Sequence, residues 1–193
     1  MSNLSPQQQP VLDPLLLADV PQRADCAASW ERREIVNGLL YQYCRGIDRR
    51  EWPTVAACFH DDAVDDHGTG LLRSPTELIE WLSKRHVRIT SSFHIVMNVS
   101  FLLEHEDSIR TESLCMARQR SGENGKERQK EVGCRYLDLF ERRDGRWAIA
   151  HRKVVFEWIE DKPLDGPVVP EGITNVSRRD RTDPIFDFLS QGV

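Results

Sequence analysis

Asp48 and His94 are the two residues in this chain best equipped for chemistry. Asp48 closes a stretch of helical periodicity, Tyr41 to Asp48, and His94 sits in an alternating run from Phe93 to Asn98. A carboxylate that orients and charge-balances an imidazole is the minimum equipment for general acid–base catalysis without a cofactor. Spacing alone does not bring the two together, and each has an ordinary reading. Asp48 also fits a solvated helix end beside Arg49 and Arg50, and His94 a strand histidine that faces water or caps a turn. One physical point favours a partner for Asp48: a carboxylate at a helix C-terminus faces the negative end of the helix dipole.

Other side chains qualify as helpers. Tyr43 offers a phenolic hydrogen bond for a substrate oxygen. It lies about 140° around an ideal helix from Asp48, so the two share a pocket only if it spans the helix end; a place in the core stripe is the alternative. Arg152 alternates with Ala150, Val154 and Phe156, and a charge on such an apolar face calls for an anion. A substrate group and Asp138 are both open as that anion. By strand parity His94, Val96, Asn98 and Ser100 share one face, while Phe93, Ile95, Met97, Val99 and Phe101 share the other. The mixed first face suits a pocket wall. Trp81, Val96, Asn98 and His67 are accordingly candidate substrate-binding residues.

His60-Asp61-Asp62 with Asp65-Asp66-His67 has ligand types suited to a divalent ion, yet no established metal spacing, and adjacent aspartates diverge. It reads as a solvated strand entrance. Neither G-x-G-x-x-G nor a P-loop pattern occurs. No metal or cofactor is expected.

These residues need elements to carry them. Residues 1–28 read as a proline-bearing N-terminal arm. From Ser29, Ile35, Leu39, Leu40, Tyr43 and Ile47 recur at helical spacing, and a second short helix covers Trp52 to Phe59. Asp61 to Leu72 reads as a strand or hairpin bending at Gly68 and Gly70. Ser74-Pro75-Thr76-Glu77 combines capping-box spacing with Pro at the first helical position, so a third helix follows. Four strands come next: Ser92–Leu103, Ser108–Gln119, Glu131–Glu141 and Trp147–Trp158. A polar loop from Ser121 to Lys130 separates the middle two, and Asp144-Gly145 marks the last hairpin. Residues 161–193 read as an irregular C-terminal tail whose run Arg178 to Arg181 is salt-bridged. Helices followed by consecutive strands is an α+β order within one domain, residues 29–160. A curved sheet over helices leaves a cone between them, a favoured place for a small-molecule pocket.

Bulk properties bound the function. The chain has 193 residues, 39% hydrophobic and 30% charged, with a formal net charge of -5, which supplies no blanket attraction to nucleic acid or anionic membranes. Five scattered cysteines without a C-x-x-C spacing read as reduced, mostly buried thiols. No run approaches a membrane helix and no signal peptide is evident, so a cytoplasmic protein is expected.

Tyr43 to Asp48, the run His94-Ile95-Val96-Met97-Asn98, the block Tyr136 to Trp147 and His151-Arg152 carry a family resemblance. Over residues 30–158 the chain resembles the SnoaL-like branch of the nuclear transport factor 2 superfold. That branch holds γ-hexachlorocyclohexane dehydrochlorinase, scytalone dehydratase, bile-acid 7α-dehydratase and polyketide cyclases. The resemblance implies a cone-shaped α+β barrel: a strongly curved, mostly antiparallel sheet over about three N-terminal helices. It implies catalytic roles for His94, Asp48, Tyr43 and Arg152. The acidic group that the bile-acid enzyme carries on its second long strand falls on Glu112 or Ala117. The implied function is a cofactor-independent lyase, dehydratase or isomerase acting on a small hydrophobic cyclic metabolite, in a homo-oligomer (dimer or trimer). The superfold also supplies the alternatives: a non-catalytic subunit, like the small subunit of ring-hydroxylating dioxygenases, or a hydrophobic-ligand-binding protein.

Overall fold

The computed structural model describes residues 26–123, 126–164 and 169–191. The expected arm up to residue 25 lies outside the described residues. Helix α1 spans Cys26–Arg49, α2 Trp52–Ala57 and α3 Pro75–His86. Strands β1 (Phe59–Asp66) and β2 (Leu71–Leu72) precede α3, and β3 (Ile89–Glu104), β4 (Ser108–Glu123), β5 (Lys126–Arg143) and β6 (Arg146–Leu164) follow it. They form one unclosed, six-stranded sheet in the order β2-β1-β6-β5-β4-β3. All neighbours are antiparallel except β1 and β6. The architecture is the expected α+β cone, with three helices against a curved sheet.

Helix α1 buries Val36, Leu40, Tyr43, Cys44 and Ile47. The buried stripe is therefore one position on from the one expected at its start, and Ile35 is exposed. The helix begins at Cys26, inside the expected arm, since Ala27 and Ala28 are strong helix formers. It ends in a Schellman motif: Glu51 N–H donates to Gly46 O at 2.8 Å and Arg50 N–H to Ile47 O at 3.3 Å, with Arg50 left-handed at φ 56°. That geometry stops the helix at Arg49, one residue after Asp48. Gly46 lets α2 approach, because a Cβ there would come within 2.7 Å of Val55 Cγ2.

Helix α3 starts as its sequence dictates. Ser74 Oγ accepts from Glu77 N–H at 3.2 Å, and Glu77 Oε2 accepts from Arg73 N–H at 2.7 Å. At the last hairpin Asp144 and Gly145 both adopt positive φ (50° and 79°), the signature of a type I′ turn.

Three expectations fail. The polar segment 121–130 is not a loop throughout: β4 and β5 stay paired as far as Glu123 and Lys126, because continued ladder hydrogen bonds outweigh the weak strand preference of polar residues. The tail is not wholly irregular. Strand β6 runs to Leu164, and α4 covers Pro184–Ser190, capped by Asp183, which accepts from Ile185 N–H at 3.1 Å. Asn98 and Ser100 do not share the His94 face. A bulge lies between Met97 and Ser100, with Asn98 at φ 51°. One extra residue reverses the side-chain phase, so Val99 and Phe101 turn to the core while Asn98 and Ser100 are exposed. A second bulge, between Phe156 and Trp158 on β6, likewise brings Ile159 inward.

Candidate active site

The side chain of Asp48 leaves the last turn of α1 where that helix lies across β3. It grips His94 twice: Oδ1 accepts from ring Nδ1 at 2.6 Å and Oδ2 from the backbone N–H at 2.9 Å. Ser92 Oγ–H adds a third bond, to Oδ1 at 2.7 Å. Burial pushes the Asp48 carboxyl up, but His94 and Ser92 outweigh it and hold the group below the usual carboxylate range. An ionised Asp48 therefore fixes the proton on Nδ1, and Nε2 is the lone-pair nitrogen left for the cavity.

That cavity has a volume of about 680 Å³ and opens between α3 and the concave face of the sheet. One cross-strand row on its wall runs His94, Ala117, Val132, Ile159. The next row towards the rim runs Ser92, Gln119, Lys130, Asp161. Tyr43, Trp81 and His67 also line it. Trp81 and His67 stack at 4.8 Å between centroids, and His67 Nδ1 pairs with the buried Asp65.

Arg152 takes a different place from the one expected. It is fully buried and does not line the cavity. Nε and Nη2 each donate to Asp138 at 2.7 Å, and the guanidinium lies 4.2 Å from the ring centroids of both Tyr43 and Tyr136. Of the two anions open in the sequence, Asp138 is its partner. Arg152 is a platform beneath two pocket phenols, and burial keeps both phenols protonated as donors, far above their usual titration. Val96 faces inward and is half-buried against the core, outside the cavity wall, and Asn98 points to solvent because of the bulge. Glu112 binds Arg135 at 2.8 Å, whereas Ala117 lines the cavity. The second long strand thus offers the pocket no acid there.

The acidic segment after α2 disperses. His60 bonds Glu141 O at 2.9 Å, Asp62 pairs with Arg143 at 2.5 Å, and Asp66 accepts from Gly68 N–H. Among the described residues no group of three or more His, Cys, Asp or Glu side chains is arranged to hold a metal. Cys44, Cys58, Cys115 and Cys134 are buried and free, and Cys115 Sγ–H donates to Tyr136 Oη at 3.2 Å.

Two wall residues escaped the sequence reading. Tyr136 belonged to the block that carried the family resemblance and was given no role in the chemistry; it lines the cavity. His86 ends α3, is buried, and lines the cavity. Arg179, arriving from the tail, donates to His86 Nδ1 at 2.8 Å and also to Ile47 O, Asp48 O and Ile89 O. Burial, and then the Arg179 charge, push the His86 imidazole down to about 3. His86 is therefore neutral with its proton on Nε2. Nothing local announces either residue.

Comparison with known proteins identifies the family and the fold. The fold is that of the nuclear transport factor 2-like superfold, and residues 27–153 match the SnoaL-like domain. The chain belongs to the SnoaL-like family. It is similar in structure to a type 2 hexachlorocyclohexane dehydrochlorinase (TM-score 0.65, 19% identity, covering 76% of this chain and 98% of that one). A scytalone dehydratase-like protein from Novosphingobium aromaticivorans gives a TM-score of 0.64 at 15% identity, over 76% of this chain and 97% of that one. A type 3 hexachlorocyclohexane dehydrochlorinase from Novosphingobium barchaimii gives 0.64 at 20% identity, over 74% and 97%. No curated protein matches the chain. Among the described residues no helix is long and apolar enough to cross a membrane.

Proposed function

We propose that this protein is a lyase or isomerase that moves a carbon-bound proton on a small hydrophobic cyclic metabolite, using only its own side chains. The observation that carries the reading is the double grip of Asp48 on His94, which leaves one imidazole nitrogen for an otherwise largely apolar cavity. His94 Nε2 takes the proton, and Asp48 stabilises the imidazolium as it forms. In an elimination the C–H electron pair becomes the new π bond and the bond to the leaving group breaks. A hydroxide leaves as water by taking a proton from a phenol or from the imidazolium. In an isomerisation the imidazolium returns the proton to another carbon. Tyr43, Tyr136 and His86 are donors for the oxygen that gains charge, while Trp81 and His67 form the wall.

The test reads proton transfer directly. The protein is incubated in D₂O with cyclic β-hydroxyketones and enones, and NMR follows exchange at the acidic carbon and appearance of dehydrated product. His94→Ala and Asp48→Asn are each expected to slow exchange by about 10²–10⁴-fold. Exchange that is equally fast in both variants, or absent from the native protein across the series, would sink the acid–base reading in favour of a binding or non-catalytic role.

The same proposal includes a homo-oligomer. Phe93, Ile95 and Trp158 are exposed on the convex face. Ile95, Met116, Gly133 and Trp158 form one row there, and Gly133 makes room for the indole. Light scattering should give a dimer or trimer mass, and Trp158→Glu with Phe93→Glu should return the monomer.

A further inference from the structure

We propose that the ligand of this cavity is amphipathic: an apolar ring system enters towards His94, and an anionic group of the carboxylate class stays at the rim. This rests on the placement of the reacting centre at His94 and deepens that reading by naming the substrate's second pole. The rim carries Lys130, Arg85 and Arg88 from opposite sides. Its acid is Asp161, which stands opposite Lys130 in the β5–β6 register but is engaged by Arg128 Nε at 2.8 Å. Arg85 lies over the Trp81 ring at 4.6 Å, which holds the guanidinium beside the opening. Among the described residues neither Lys130 nor Arg85 has a carboxylate partner.

The chain's net charge is -5, and several arginines on the sheet surface are paired: Arg118 with Glu131, Arg135 with Glu112 and Glu157, Arg142 with Asp107, Arg143 with Asp62. Acidic groups deeper in the cavity already have partners, Asp48 in His94 and Asp65 in His67. Lys130 and Arg85, without carboxylate partners at the mouth of a low-dielectric cleft, concentrate their field there and select anions. Lys130 stands about 10 Å across the sheet from β3 and one side-chain row nearer the rim than His94. A ligand that meets both is longer than a single ring, in keeping with the cavity volume.

Two fluorescent probes with the same ring system separate the poles: 1-anilinonaphthalene-8-sulfonate and its uncharged parent, N-phenyl-1-naphthylamine. Both are titrated into the full chain at low and high salt, for the native protein, Lys130→Gln, Arg85→Gln and the distant surface control Arg118→Gln. Each rim substitution should weaken the sulfonate probe about tenfold, the loss of one charged contact, and leave the neutral probe within about twofold. Salt should weaken the sulfonate probe alone, a readout that needs no variant. The control should change nothing. Equal losses for both probes, or no loss for either, would overturn the anionic pole while leaving the His94 chemistry standing. Sulfonate binding that keeps its charge dependence in a His94→Ala protein with unimpaired proton exchange would do the reverse.

Discussion

Arg179 hands a hydrogen bond to His86 Nδ1 at 2.8 Å and, with its Nε, closes the carbonyl of Asp48 at 2.7 Å. One tail residue thus sets the tautomer of a pocket imidazole and seals the helix end that presents the candidate catalytic carboxylate. Arg49 pairing with Asp183 clips the same tail to the same helix.

Replacing Arg179 by Met should therefore release His86. The native imidazole is held down to about 3, by burial first and the Arg179 charge second. Without that charge it should climb towards the ordinary histidine value of about 6.5. Long-range ¹H–¹⁵N spectra of the ring across pH would show it; an unmoved titration would mean that burial alone sets it.

Acid stability should carry two signatures of opposite chemical origin. Asp48 has a folded value below its unfolded one, so its contribution is present above about pH 4 and is lost as pH falls through the folded value. His86 is also depressed, so the unfolded chain takes up its proton first and stability falls from about pH 6.5 downward. Asp48→Asn should flatten the lower part of the urea-midpoint profile, and His86→Gln the upper part. Profiles that superimpose on the native one would refute the assignment.

The Arg152–Asp138 pair is fully buried and bidentate. Removing one partner strands the other, so Arg152→Met or Asp138→Leu alone should cost about 3–5 kcal/mol in denaturant unfolding. The double variant should recover much of that loss. Strictly additive losses would show that the two side chains act independently.

Asn98 sits at φ 51°, a conformation that asparagine and glycine tolerate and β-branched residues do not. Asn98→Gly should leave stability nearly unchanged, and Asn98→Val should lower it by about 1–2 kcal/mol. A neutral valine would mean that the bulge is absent in solution.

The sequence displayed what local chemistry controls. The Ser74 cap, the Asp144-Gly145 turn and the helix-then-strand order are written in neighbouring residues, and with them came the α+β cone. The meeting of Asp48 with His94 spans 46 positions; periodicity places each on an element but not one against the other. His86 and Arg179 are 93 positions apart, joined by a tail whose return carries no hydrophobic pattern. Strand parity carried the His94 face only as far as Met97, because a bulge leaves no mark on apolar alternation.

The bulge at Asn98 has a practical meaning for anyone who would redesign this protein. It divides one strand into two stretches with separate obligations, and counting every second residue crosses from one to the other unawares. A library randomised at 94, 96, 98 and 100 would spend half its diversity on water. Varying 99 and 101 would disturb the packing of Phe101 under Arg33 on α1, 5.0 Å away. Ligand choice and foldability can thus be varied independently along a single strand, provided the count restarts at residue 98.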